Sequence, residues 1–149
     1  MGIKIRDGAD APEGTRRQMA EMLTLAFGLA WPGSWDTPEK ATEEVTEALE
    51  DGRICRVAVD EEGRALGWIG AKHTYARVWE LHPLVVHPEL QGRGVGRALV
   101  QDLEERVRER GGITLQLGTD DETGATSAYS VDVYEDIGGH IARLRIVDP

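Results

Sequence analysis

Gln91-Gly92-Arg93-Gly94-Val95-Gly96 sets glycines at alternate positions, with Arg93 and Arg97 beside them. Residues of these types suit a phosphate. At a helix start the first backbone N–H groups lack an intrahelical partner and carry the positive end of the dipole. Glycines there let an anion approach those donors closely, and the arginines add charge. The same glycines would also serve a strand-to-helix turn that binds nothing, but alternate spacing ahead of a clean helix favours the phosphate site. Two further groupings offer proton transfer. Glu80, His82 and Leu84 alternate, so strand geometry would aim Glu80 and His82 at one face. The bland version makes Glu80 a solvent-facing charge and His82 a satisfied strand residue. Thr119-Asp120-Asp121-Glu122 gathers three carboxylates, which would otherwise be an acidic turn or a helix cap.

The elements that must position these groups follow from periodicity. An apolar run ending at Val86 reads as a buried strand that delivers the chain to the glycine turn. Leu99, Leu103 and Val107, with Val95 and Val100 beside them and charged residues opposite, predict a helix of about four turns starting near Gly94. Upstream, Ile3–Arg6 reads as a strand. A helix from Pro12 carries Met19, Met22, Leu23 and Ala26 on one face and ends near Gly28. Trp31 and Trp35 sit in the loop that follows. Thr37 is placed to cap a second helix with Pro38 at its first position, running to about Glu50. Ile54–Asp60 and Ala65–His73 form a hairpin across Glu61-Glu62-Gly63. Trp79–Val86 is interrupted by Pro83, which lacks a ladder donor and so belongs at an edge or bulge. Ile113–Leu117 reads as a fifth strand.

Two familiar phosphate turns fit poorly. A Walker loop needs Gly-Lys-Ser/Thr, and the dinucleotide fingerprint opens the first strand–helix unit with different spacing. The segment resembles instead the Gln/Arg-x-x-Gly-x-Gly/Ala signature of the GCN5-related N-acetyltransferases (GNAT), matched in full by Gln91–Gly96. That resemblance implies an α/β GNAT fold. Its central sheet is mixed, mostly antiparallel and twisted, with a splayed fourth and fifth strand and flanking helices. It implies acetyl-CoA as cosubstrate, with the amides of Gln91, Gly92, Arg93, Gly94, Val95, Gly96 and Arg97 around the pyrophosphate. The exposed strand edge at Leu84, Val85 and Val86 would pair with the pantetheine arm and polarise the thioester carbonyl.

Trp31-Pro32 after an apolar helix, then Thr37-Pro38-Glu39 opening the next, is similar to the corresponding region of aminoglycoside 6′-N-acetyltransferases. Thr119-Asp120 matches a Ser-Asp pair of those enzymes. The resemblance implies that Asp120 binds drug ammonium groups and acts as base, and that a carboxylate near Glu80/His82 contacts the amine. An aminoglycoside is a polycation, so Asp36, Glu80, Asp120, Asp121 and Glu122 would attract it. Trp31 and Trp35 would offer faces for sugar C–H groups or cations, or else anchor their loop to the core. Either Asp120 or His82 would take the amine proton. The family's Tyr-x-x-Leu/Ile-Gly-Phe is echoed by Tyr134 through Gly138, with Gly139 in the place of Phe, which implies Tyr134 as the thiolate acid. Rival readings are an acetyltransferase for protein N-termini, lysines or polyamines, and a non-catalytic acetyl-CoA sensor.

The tail admits two versions: a last helix over Ser130–Ile137, or a helix over Ile137–Leu144 with the sheet ending early. Either leaves a shortened or irregular end whose exposed edge a second copy would cover, hence an expected homodimer. At 149 residues the chain is read as a single domain spanning 1–149. A net charge of −10 argues against nucleic acid and anionic membranes and suits a cationic amine. One cysteine, Cys55, excludes an internal disulfide, and with no apolar leader in view a cytoplasmic location is the default. His73, His82, His87 and His140 show no metal-ligand spacing.

Overall fold

The computed structural model describes residues 2–28, 35–117, 130–134 and 143–147. Its order is β1 (Lys4–Asp7), α1 (Glu13–Leu23) running into a π-helical turn (Thr24–Gly28), and α2 (Pro38–Ala48). Next come β2 (Ile54–Val59), β3 (Ala65–Tyr75), β4 (Val78–Val86), α3 (Val95–Glu109) and β5 (Thr114–Leu117). The first five strands form one sheet in sequence order, antiparallel throughout except for the parallel β4–β5 pair. Among the described residues β5 is therefore the last strand of that sheet. No helix among the described residues is long and apolar enough to cross a membrane.

Local chemistry accounts for the boundaries. Thr37 accepts from the Lys40 amide at 3.2 Å and Pro38 opens α2, as the sequence requires. The Asp60 side chain accepts from the Glu62 and Arg64 amides, and Gly63 takes φ of 84°, closing the β2–β3 hairpin. Leu99, Leu103 and Val107 are all 0% exposed. Burial of about 1.5–3 kcal/mol per such side chain, rather than helix propensity, holds α3 on the sheet.

The sheet separates two apolar cores. On one face α3 packs over Leu66, Ile69, Leu81, Leu84 and Val86. On the other, α1 and α2 pack over Val57, Trp68 and Val85, with the Trp68 indole donating to the Met19 carbonyl at 3.0 Å. On the α3 side, Arg56 of β2 grips Asp102 with two bonds of 2.6 and 3.3 Å.

The bulge foreseen at Pro83 is present, and it inverts part of the expected pattern. Ile69 pairs with Leu84 and Ala71 with Leu81, so Gly70 alone faces both His82 and Pro83. The His82–Pro83 peptide is cis. An extra residue in one strand reverses the alternation beyond it. Leu84 therefore returns to the α3 face with Leu81, and Val85 shares the face of Glu80 and His82. The expectation that Leu84 joins Glu80 and His82 on one face is corrected.

The tail is also corrected. Ser130–Tyr134 (β6) and Arg143–Val147 (β7) are strands of an antiparallel pair, with Tyr134 opposite Arg143. The helix expected over Ser130–Ile137 is thus replaced by strand through Tyr134, and of the alternative over Ile137–Leu144 only Arg143 and Leu144 lie within the described residues, where they are strand. Apolar residues at alternate positions, Val131 and Val133, then Leu144 and Ile146, fit a strand period rather than a helical one.

Candidate active site

The turn after β4 is built by short-range bonds. His87 accepts from the Glu89 amide at 3.2 Å and its carbonyl receives the Leu90 amide at 2.8 Å, folding a short 3-10 turn that buries Leu90. Gly92 and Gly94 then adopt φ of 78° and 86°, the left-handed region where a side chain is strained. Gly94 is the N-cap of α3 and supplies no side-chain cap, and no acidic residue lies in the first helical turn. A Cβ built at Gly94 would meet nothing within 4 Å. The helix therefore presents uncapped amides to open space, with Arg93 and Arg97 exposed beside them. This cradle fits an anionic diphosphate. Val95 belongs to it through its backbone alone, because its side chain is 1% exposed and packed in the core.

The strand before the turn runs on past the end of its ladder with β5. Leu84, Val85 and Val86 pair with Ile69, Trp68 and Gly67 of β3. The β4–β5 ladder covers Val78 to Leu81 and goes no further among the described residues. Since all three side chains are buried, these residues face the β5 side through peptide groups. Gly67 allows this close packing, for a Cβ there would stand 2.8 Å from the Val85 carbonyl oxygen.

On the α2 side of β4 the two candidate acid–base residues have different partners. The Glu80 carboxylate lies 3.6 Å from the Lys72 ammonium on β3, with Gln116 opposite on β5. His82 Nε2 stands 3.1 Å from a carboxylate oxygen of Glu44, a residue of α2 that is 13% exposed at its side chain, whereas His82 is 42% exposed. The Trp35 ring lies 5.9 Å from the His82 ring and meets Phe27 edge-on at 5.4 Å. Hydrogen bonding from His82 holds the Glu44 carboxyl below its usual range. The His82 and Arg53 charges and a bond from Trp35 act in the same sense, against desolvation. The backbone at Trp35 is pinned as well, since its carbonyl accepts from the Thr24 hydroxyl at 2.9 Å.

Sequence reasoning passed over Glu44. The available signal was its phase: it lies three residues after Ala41 and four before Ala48, both buried, so it borders the apolar stripe of α2. Asp36, expected to attract cations, is already engaged by Lys40 at 2.7 Å. Tyr134 lies on β6. Trp31, Asp120, Asp121 and Glu122 fall outside the described residues.

Residues 17–138 match the model of the acetyltransferase (GNAT) family. The chain belongs to that family. Its mixed sheet with a parallel, partly separated β4–β5 pair is the GNAT fold of its structural neighbours. Among curated proteins this GNAT chain is 30% identical over 112 residues to the aminoglycoside N(6′)-acetyltransferase type 1 of Stenotrophomonas maltophilia, covering 69% of this chain and 72% of that one. It is 35% identical over 65 residues to the ribosomal protein bS18-alanine N-acetyltransferase of Salmonella typhimurium, a match spanning 44% of this chain and 41% of that enzyme. Among solved structures it is similar to an aminoglycoside 6′-N-acetyltransferase complexed with coenzyme A. The TM-score there is 0.69 at 35% identity, covering 87% of this chain and 67% of the other.

Proposed function

We propose that this GNAT-family chain is an acetyl-CoA-dependent N-acetyltransferase that modifies the 6′-amine of aminoglycosides by direct transfer in a ternary complex. The observation that carries the reading is the bulge at His82-Pro83, set beside the uncapped start of α3. One distortion leaves the Leu84–Val86 peptide edge off β5 and puts His82 on the face turned toward α2. Acetyl-CoA, when bound, supplies the acetyl group as a thioester. Gln91 through Arg97 hold the pyrophosphate with their amides and the two arginines, and the peptide N–H groups near Leu84 and Val85 polarise the carbonyl. His82 or Asp120, directly or through water, takes the proton of the incoming amine. Tyr134 supplies the proton on the leaving side. Glu80, Asp120, Asp121, Glu122 and Asp36, with Trp31 and Trp35, receive the polycation.

Similarity to an aminoglycoside N(6′)-acetyltransferase over 69% of the chain supports this substrate class. The shorter match to an enzyme acetylating a ribosomal protein favours a second reading, acetylation of a peptide amino terminus. Coenzyme A release measured with a thiol reagent separates them. Turnover with kanamycin-type drugs and none with alanine-starting peptides is expected, and the reverse result transfers the assignment to peptides. Acetyl-CoA binding without turnover on either class would identify a sensor domain.

A further inference from the structure

We infer that Glu44 is the positioning residue of His82: from α2 its carboxylate accepts a hydrogen bond from the imidazole Nε2–H, leaving Nδ1 as the ring nitrogen that accepts the substrate proton. The inference deepens the acetyltransferase reading and rests on it for the proton-transfer step.

The geometry assigns the roles. The nitrogen that meets Glu44 is Nε2, at 3.1 Å. A neutral imidazole has one N–H donor and one lone-pair acceptor. An ionised carboxylate only accepts, so it selects the tautomer with hydrogen on Nε2 and frees the lone pair of Nδ1. Glu44 is kept ionised by its surroundings, with the Trp35 indole and the Arg53 charge acting alongside His82. The pairing is also shielded unevenly. The carboxylate is largely buried under α2, while the imidazole is 42% exposed and therefore reachable. Trp35 reinforces the orientation twice, by its bond to Glu44 and by its ring lying 5.9 Å from the imidazole. The carboxylate comes from a helix on one side of the sheet and the imidazole from the bulged strand, so the pair forms only when α2 docks.

The decisive experiment combines a spectroscopic and a kinetic arm. In wild-type protein the ¹⁵N shifts of the neutral His82 ring should report the Nε2–H tautomer, and Glu44→Ala should give a mixture. Glu44→Gln, which keeps the size and one acceptor oxygen but not the charge, should lower kcat with kanamycin by about tenfold or more. The dissociation constant for acetyl-CoA should stay within about twofold of wild type, since the change leaves the start of α3 untouched. In a His82→Ala background the same Glu44→Gln change should cost no further kcat. A tautomer unaffected by Glu44→Ala, or equal loss in both backgrounds, overturns the inference. A wild-type chain that turns over no amine would instead refute the acetyltransferase reading. The ring shifts, which need no substrate, would still decide the pairing.

Discussion

Replacing Gly70 by alanine tests whether the bulge governs both stability and chemistry. A Cβ at this position would stand 2.7 Å from the His82 carbonyl oxygen and 3.4 Å from Pro83 Cδ. An unstrained C···O contact is about 3.3 Å or longer, so the His82 carbonyl must retreat by about 0.6 Å. That oxygen belongs to the backbone and has no rotamer by which to escape. Overpacking of this kind costs about 1–3 kcal/mol, which for a chain of this length lowers Tm by about 2–12 °C. The retreat falls on the peptide of His82 itself and displaces its ring from Glu44. Since a misplacement near 1 Å can cost about a hundredfold, kcat should drop by roughly tenfold or more. Calorimetry and steady-state CoA release with kanamycin measure the two effects. Gly14→Ala is the matched control: Gly14 lies in α1 with nothing within 4 Å of its Cβ, so this change should stabilise by about 0.5–1 kcal/mol. A Gly70→Ala protein with wild-type Tm and kcat would refute the claim that the bulge is held open by the absence of a side chain.

Gly94→Asp should weaken acetyl-CoA binding by tenfold or more, because a carboxylate would occupy the anion cradle (~tenfold is about 1.4 kcal/mol). Asp120→Asn should spare that affinity and lower turnover, and titration calorimetry beside kinetics distinguishes the two. The Cys55 thiol is buried and pushed up to about 12 by desolvation, so native protein should resist iodoacetamide at pH 8 and react only once unfolded. Glu44 has a folded-state pKa depressed below 4.5, so its contribution to stability is present above about that pH and fades as pH falls through the lowered value. The Tm deficit of Glu44→Gln should accordingly be larger at pH 7 than at pH 3, and a deficit that grows on acidification would contradict the pairing.

What could be read in the sequence was what is decided locally. Thr37 followed by Pro38 specifies a helix start through one hydroxyl and one fixed φ, and the structure has it there. Gly92 and Gly94 announce backbone conformations that other residues resist. Pro83 announces a break in a ladder. The consequence of that break was not local. Plain alternation carried through Pro83 places Leu84 with Glu80 and His82, whereas one inserted residue exchanges the two faces for everything that follows. Gly70 is a related case, since its need for bareness arises from the strand opposite. Glu44 meets His82 across a long sequence separation, and nothing near Glu44 reveals which strand α2 will cover. In the tail, Val131 and Val133, then Leu144 and Ile146, carry a two-residue period that suits the strands formed there.

The division of the apolar interior by the sheet has a practical consequence for engineering. Helices α1 and α2 are supplied by one continuous stretch of chain, residues 13–48, and rest on Val57, Trp68 and Val85. The glycine turn and α3 come from a second stretch and rest on the reverse side. Grafting a different α1–α2 hairpin, with its inward residues kept, would alter the face that carries Glu80 and His82 while leaving the packing of α3 on the reverse face as it is. The fold thus offers an exchangeable cassette on one side of an unaltered sheet and α3.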